Sequence, residues 1–153
     1  MAPTRRPSLA SSLALGALSG LAGTAAMTAF QKLVEMPITG REDSYAPADF
    51  AEKVLPVSPK GHRERQRLNY LAHFGIGMGW GLAYAVASRS GLSGQRAVAA
   101  VFAGVYTGDV AINTALGLYR PWEWSLEDAA IDVIDKLVQA EAAAAAFEAL
   151  GPG

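Results

Sequence analysis

Three long apolar runs and one polar connector organise the chain. Leu9 to Phe30 and Leu68 to Ala87 contain no Asp, Glu, Lys or Arg, and Ala97 to Leu118 contains a single charge, Asp109, near its middle. A helix of about 22 residues extends roughly 33 Å, enough to cross a hydrocarbon core of about 30 Å. Helices of soluble domains usually carry charge along one face, so charge-free runs of this length predict membrane spans. A fourth helix is predicted from Leu126 to about Leu150, with Ser125 as its N-cap and Asp128 completing a capping box. The expected fold is an all-α, polytopic membrane helical bundle. It has four transmembrane helices near 9–30, 68–87, 97–118 and 127–149 in one membrane-embedded domain, 1–153, and a long connector, 31–67, after the first. The Ala-rich last helix has weak insertion drive, and the alternative is that it lies at the interface as an amphipathic helix.

Local signals refine this outline. Pro37 is expected to end the first helix. Within the connector, Pro47 to Leu55 reads as a short helix with Phe50, Ala51 and Val54 on one face, lying on the membrane surface or across the bundle mouth. Gly91 and Gly94 mark a turn that makes the second and third spans a hairpin. Tyr119, Trp122 and Trp124 fit an aromatic belt at the interface. The start of the chain, Arg5 and Arg6 before an apolar run with small residues at Thr24, Ala25 and Ala26, is similar to a signal peptide. The length of the run and the spans that follow predict a retained helix.

Small residues predict where helices meet. Gly16, Gly20, Thr24 and Thr28 recur every four residues, a stripe that allows close helix approach. Gly77 and Gly81 fall on one side of the second span with His73, Trp80 and Tyr84. They serve either as packing glycines, like Gly16 and Gly20, or as a binding notch beside His73.

The polar interior follows from Asp109. A carboxylate at mid-bilayer costs about 2.5–3.5 kcal/mol on insertion scales, so Asp109 must face other protein, water or a partner, or be protonated. Tyr106, Asp109 and Asn113 form one stripe, and Asn113 is placed to bond Asp109 from the next turn. On the last helix Asp128, Asp132, Asp135 and Gln139 share a face, and Lys136 follows Asp132 in the favourable acid-before-base order. The expected intramembrane cluster is His73, Asp109, Asn113, Asp132, Asp135 and Lys136. Lys136 is the one basic side chain well inside a span, so the acids outnumber it and a wet polar pocket is expected.

Composition narrows the function classes. Of 153 residues 51% are hydrophobic and the net charge is −1, which gives no global signal for nucleic acid. The absence of Cys excludes disulfides and thiolate ligands or nucleophiles. No Ser sits in a nucleophile-elbow context. Asp132-x-x-Asp135 lacks the Gly and Arg of lipid phosphotransferases, and no single helix carries a metal motif. No catalytic residue, metal or cofactor is expected. The expected partners are the lipid bilayer and either a second copy or another membrane protein. Three roles remain: a structural polar cluster, an ion- or proton-linked transport or channel component, and an accessory subunit. Lys32, Arg41, Lys53, Lys60, Arg63, Arg65, Arg67 and Arg120 lie on the connector side, against Arg5, Arg6, Arg89 and Arg96 on the other. The positive-inside rule therefore puts the connector in the cytoplasm, although Arg5 and Arg6 pull the other way.

The order of these pieces resembles the YagU-type family of small bacterial inner-membrane proteins. The points of similarity are a Gly/Ala-rich first helix leading into Glu35-x-Pro37-x-x-x-Arg41, a long connector, and a span opening with His73 and carrying Tyr84. A third helix then ends in Gly117-Leu118, followed by Pro121-Trp122 and a last helix. That family is richer in His in its later helices, where this chain has Asp109 and Asp135-Lys136. The resemblance implies a multi-pass protein of the bacterial inner membrane and supplies no activity.

Overall fold

The computed structural model describes residues 7–151; Arg5 and Arg6 lie outside the described residues. They fold into five helices with no strand among them: α1 (Leu9–Thr39), α2 (Ala46–Val54), α3 (His62–Arg89), α4 (Gly94–Ala115) and α5 (Leu126–Leu150), with a short 3-10 turn at Pro121–Glu123. The four long helices run alternately up and down. α1 packs along α3 and α5, α3 touches α5, and α4 packs on both, so α1 and α4 occupy opposite corners of a diamond. The turn at 90–93 and the ends Leu9 and Leu150 share one end of the bundle; the connector and the 116–125 loop share the other.

Several helix ends differ from the sequence expectation. α1 does not stop at Pro37. A wide π-type turn at Gln31–Glu35 precedes the proline, with the Met36 N–H reaching back to Gln31 O. That extra room accommodates a ring that would otherwise crowd the preceding turn. The helix ends at Gly40, whose φ of 71° closes it with an N–H to Met36 O bond of 2.8 Å. α3 begins at His62, so its first turns are polar rather than apolar. α4 begins at Gly94 and ends at Ala115, because Gly117 adopts φ 75° and lets the Leu118 N–H bond Asn113 O over 2.8 Å. α5 starts as expected: the Ser125 hydroxyl accepts from the Asp128 N–H and the Asp128 carboxylate accepts from the Ser125 N–H, each over 3.0 Å.

The α1–α3 contact is built from small residues. A Cβ on Gly16 would lie 2.7 Å from the Gly81 carbonyl, and one on Gly20 would lie 2.7 Å from that of Gly77. Gly77 is filled by the Thr24 side chain and Gly81 by the Gly16–Gly20 backbone, so both serve packing against α1, and Gly77 also borders the cavity with His73. On the other side of α1, Gly23 gives the same close approach to Gln139 and Ala143 of α5.

The larger aliphatic side chains lie mostly toward the surface. Among the described residues no Leu, Ile or Phe is fully buried; the interior is Ser12, Ser19, Thr24, Met27, Trp80, Tyr84, Gln139 and a series of Ala, Gly and Val. Leu18, Leu33, Ile38, Leu71, Val86 and Leu126 face outward. α1 and α4 are long and apolar enough to cross a membrane, and only 33% and 22% of their most apolar windows are buried. An apolar cluster lies at the end away from the connector, where Trp80, Tyr84, Val98, Val101, Ala140 and Ala144 meet. Thr107–Ala115 packs sparsely against the other helices, so the bundle opens toward the connector.

Candidate functional site: a polar cavity under the connector

The opening between the helices is a cavity of 520 Å³, within the range of about 300–1,000 Å³ typical of small-molecule sites. It reaches the surface among Glu35, Glu42 and Asp43, and α2 crosses its mouth with Tyr45, Pro47 and Phe50 on the rim. α2 is held there by α3: the Ala48 N–H donates to Asn69 Oδ1 at 3.1 Å, the Asn69 amide donates to Ser44 O at 2.9 Å, and Arg65 pairs with Asp49. Ala48 and Ala51 are the buried positions of α2, and Val54 is exposed, so the apolar face differs from the expected Phe50, Ala51 and Val54. The reason is distance: only small side chains fit where α2 lies close to α3.

His73, Asp109, Asn113, Asp132, Asp135 and Lys136 all line this cavity. On α4, Asn113 Nδ2 donates to Asp109 Oδ1 at 3.0 Å and to the Asp109 carbonyl at 2.9 Å. Asp109 Oδ2 lies 4.0 Å from Lys136 Nζ on α5. Asp135, on the next face of α5, points to α1 instead, where Gln31 donates to its Oδ2 at 2.6 Å. His73 belongs to the α1 wall too: its Nε2 is 3.1 Å from the Thr28 hydroxyl. That hydroxyl donates to Thr24 O at 2.8 Å, so Nε2 carries the proton and donates to Thr28. Asp128 leaves the polar face of α5 and pairs with Arg41 at the surface, 3.3 Å away.

Gln31 and Tyr119 were invisible as site residues in the sequence. Gln31 opens the π-type turn of α1, and Tyr119 follows the left-handed Gly117, its N–H bonded to Asn113 O at 3.1 Å. That turn carries Tyr119 into the cavity wall rather than to an interfacial belt; Trp122 alone of the three aromatics stays largely exposed, at 72%. Burial, reinforced by the nearby Asp109 and Asp132 charges, raises the Tyr119 phenol well above its ordinary pKa, so it stays a neutral donor.

The acids are incompletely satisfied. Asp109 Oδ2, Asp132 Oδ2 and Asp135 Oδ1 are buried oxygens without a hydrogen-bond partner, and Asp135 as a whole is only 7% exposed. Cations at the mouth are engaged elsewhere, Lys32 with Asp43 and Arg41 with Asp128. Among the described residues no three His, Asp or Glu side chains converge closely enough to hold a metal ion. Chemically the arrangement is a carboxylate-rich hollow with one internal ammonium and an apolar far wall. Comparison of the chain with known protein families, curated proteins and solved structures returned no match.

Proposed function

We propose that this protein is a four-span integral protein of the bacterial cell membrane whose cavity handles a small ion or solute from the connector side. The observation that carries the membrane reading is the placement of side chains: small and polar residues make up most of the interior, and no Leu, Ile or Phe among the described residues is fully buried. In lipid, helices associate through close packing and interhelical hydrogen bonds, and large apolar side chains are best left to the acyl chains. α3 and α5 join α1 and α4 as spans in this reading, since each runs the height of the same bundle. The YagU-type resemblance supports the same placement. Retention of the first helix follows, because Gly16, Gly20, Gly23 and Thr24 form the contact between α1 and its two neighbours. The excess of Lys and Arg on the connector side favours a cytoplasmic mouth.

The functional part of the proposal rests on the cavity's surplus acids. A purely structural cluster would satisfy its own hydrogen bonds, whereas three carboxylate oxygens here lack partners. Reporter fusions in the connector, at 88–96, at 116–125 and at both ends test the topology: connector and 116–125 reporters should agree, with the others opposite. Full extraction into alkaline carbonate without detergent would overturn the membrane reading. A second reading, an accessory subunit, draws on Gly75, Gly79 and Gly104, whose outward faces meet no neighbour. Co-purification of another membrane protein at stoichiometric yield would favour it.

A further inference from the structure

We propose that the cavity binds a small amphipathic organic ammonium, a protonated primary or secondary amine on a compact apolar or aromatic body. The inference rests on the solute-handling reading above and names the chemical class of the solute.

Charge selects the sign of the ligand. The inner wall carries Asp109, Asp132 and Asp135 against one cation, Lys136, which stands 4.0 Å from Asp109. Asp132 and Asp135 have no ion-pair partner among the described residues, so a ligand of positive charge completes the balance. Hydrogen bonding selects the type of cation. Buried carboxylate oxygens without donors call for N–H groups, and the unpartnered Oδ1 of nearly fully buried Asp135 is the clearest instance. The acids are spread along two helices instead of converging as a metal cage, which favours an extended organic cation over a bare ion. The remaining wall selects the body. Met27, Ile76, Trp80, Val105 and Ile112 form its apolar side, and Tyr119 adds an aromatic ring. An ammonium on an apolar body matches both walls at once.

The test uses the full chain in lipid nanodiscs at neutral pH, titrated calorimetrically with phenethylammonium. Saturable binding at one site per chain is expected. Phenethyl alcohol, with the same body and no charge, should show no saturable binding, and methylammonium, with the charge and no body, should bind at least about tenfold more weakly. Asp132→Asn and Asp135→Asn should each weaken phenethylammonium about tenfold or more. Lys136→Gln removes the competing internal cation and should tighten binding several-fold, a gain that misfolding cannot produce. Absent saturable binding, equal binding of the alcohol, or weakened binding in Lys136→Gln would each overturn the proposal. If reporters give four spans and phenethylammonium fails to bind, only the ligand assignment falls. If the connector and 88–96 reporters lie on the same side, the four-span reading falls whatever the calorimetry gives.

Discussion

Gln139 Nε2 donates to Thr24 Oγ1 over 2.9 Å, joining α5 to α1 at the inner end of the cavity, and both side chains are buried. The Thr24 hydroxyl in turn donates to Gly20 O at 2.8 Å, so the amide, the hydroxyl and the α1 carbonyl form one chain of hydrogen bonds. The bond falls beside Gly23, where the two helices approach most closely. Thr24→Val keeps the shape and removes the acceptor, leaving the Gln139 amide without it. Thermal unfolding in detergent should show a loss of about 1–3 kcal/mol, and Gln139→Leu combined with Thr24→Val should cost less than the sum of the two.

Glycines in the same helix should respond oppositely. Gly81→Ala places a methyl against the Gly16–Gly20 backbone, where no flexible neighbour can yield, and should lower the melting temperature clearly. Gly79→Ala points into open space and should be neutral or stabilise by about 0.5–1 kcal/mol through better helix propensity. Equal effects at the two positions would contradict the α1–α3 contact described above.

The Asp109–Lys136 pair is four-fifths buried on each side and its charges stand 4.0 Å apart. A double-mutant cycle with Asp109→Asn and Lys136→Gln should give a favourable coupling of roughly 0.5–2 kcal/mol. Asp109→Asn alone should be the more harmful single change, because it strands the buried ammonium, whereas Lys136→Gln leaves Asp109 its Asn113 bond at 3.0 Å.

Gly117 sets the path of the loop that delivers Tyr119. At φ 75° an L-side chain is strained, so Gly117→Ala should cost about 1 kcal/mol. It should also disturb the Tyr119 ring, which can be followed as a shift in tyrosine absorbance or ring NMR signals. An unchanged ring environment would show that Asn113, not Gly117, holds the loop.

Local patterns carried part of this structure. The Asp109–Asn113 bond follows from i, i+4 spacing, the start of α5 from a capping box, and the α1–α3 contact from glycines spaced by four. Those relations live within one helix or in a repeat that any close helix contact needs. The Gln31–Asp135 bond depends instead on which helix lies opposite and on the wide turn before Pro37, and neither has a local signature. Tyr119 was hidden for a similar reason: an aromatic after a span suits an interface, and only the left-handed Gly117 turns it inward. On α2 the expected Ala51 is buried, but closeness to α3, not apolarity, adds Ala48 and leaves Val54 exposed.

The diamond arrangement makes the bundle behave as a spring clip. Its jaws, α1 and α4, sit at opposite corners, and the pivot is the apolar cluster of Trp80, Tyr84, Val98 and Val101 at the end remote from the mouth. The Thr107–Ala115 arm meets the other helices sparsely and is tied to α5 by the Asp109–Lys136 pair, so the hollow is held at its open side by polar contacts and at its closed side by packing. Trp80 belongs to both, lining the hollow and closing the apolar cluster, so one side chain joins the clip's hinge to its gap.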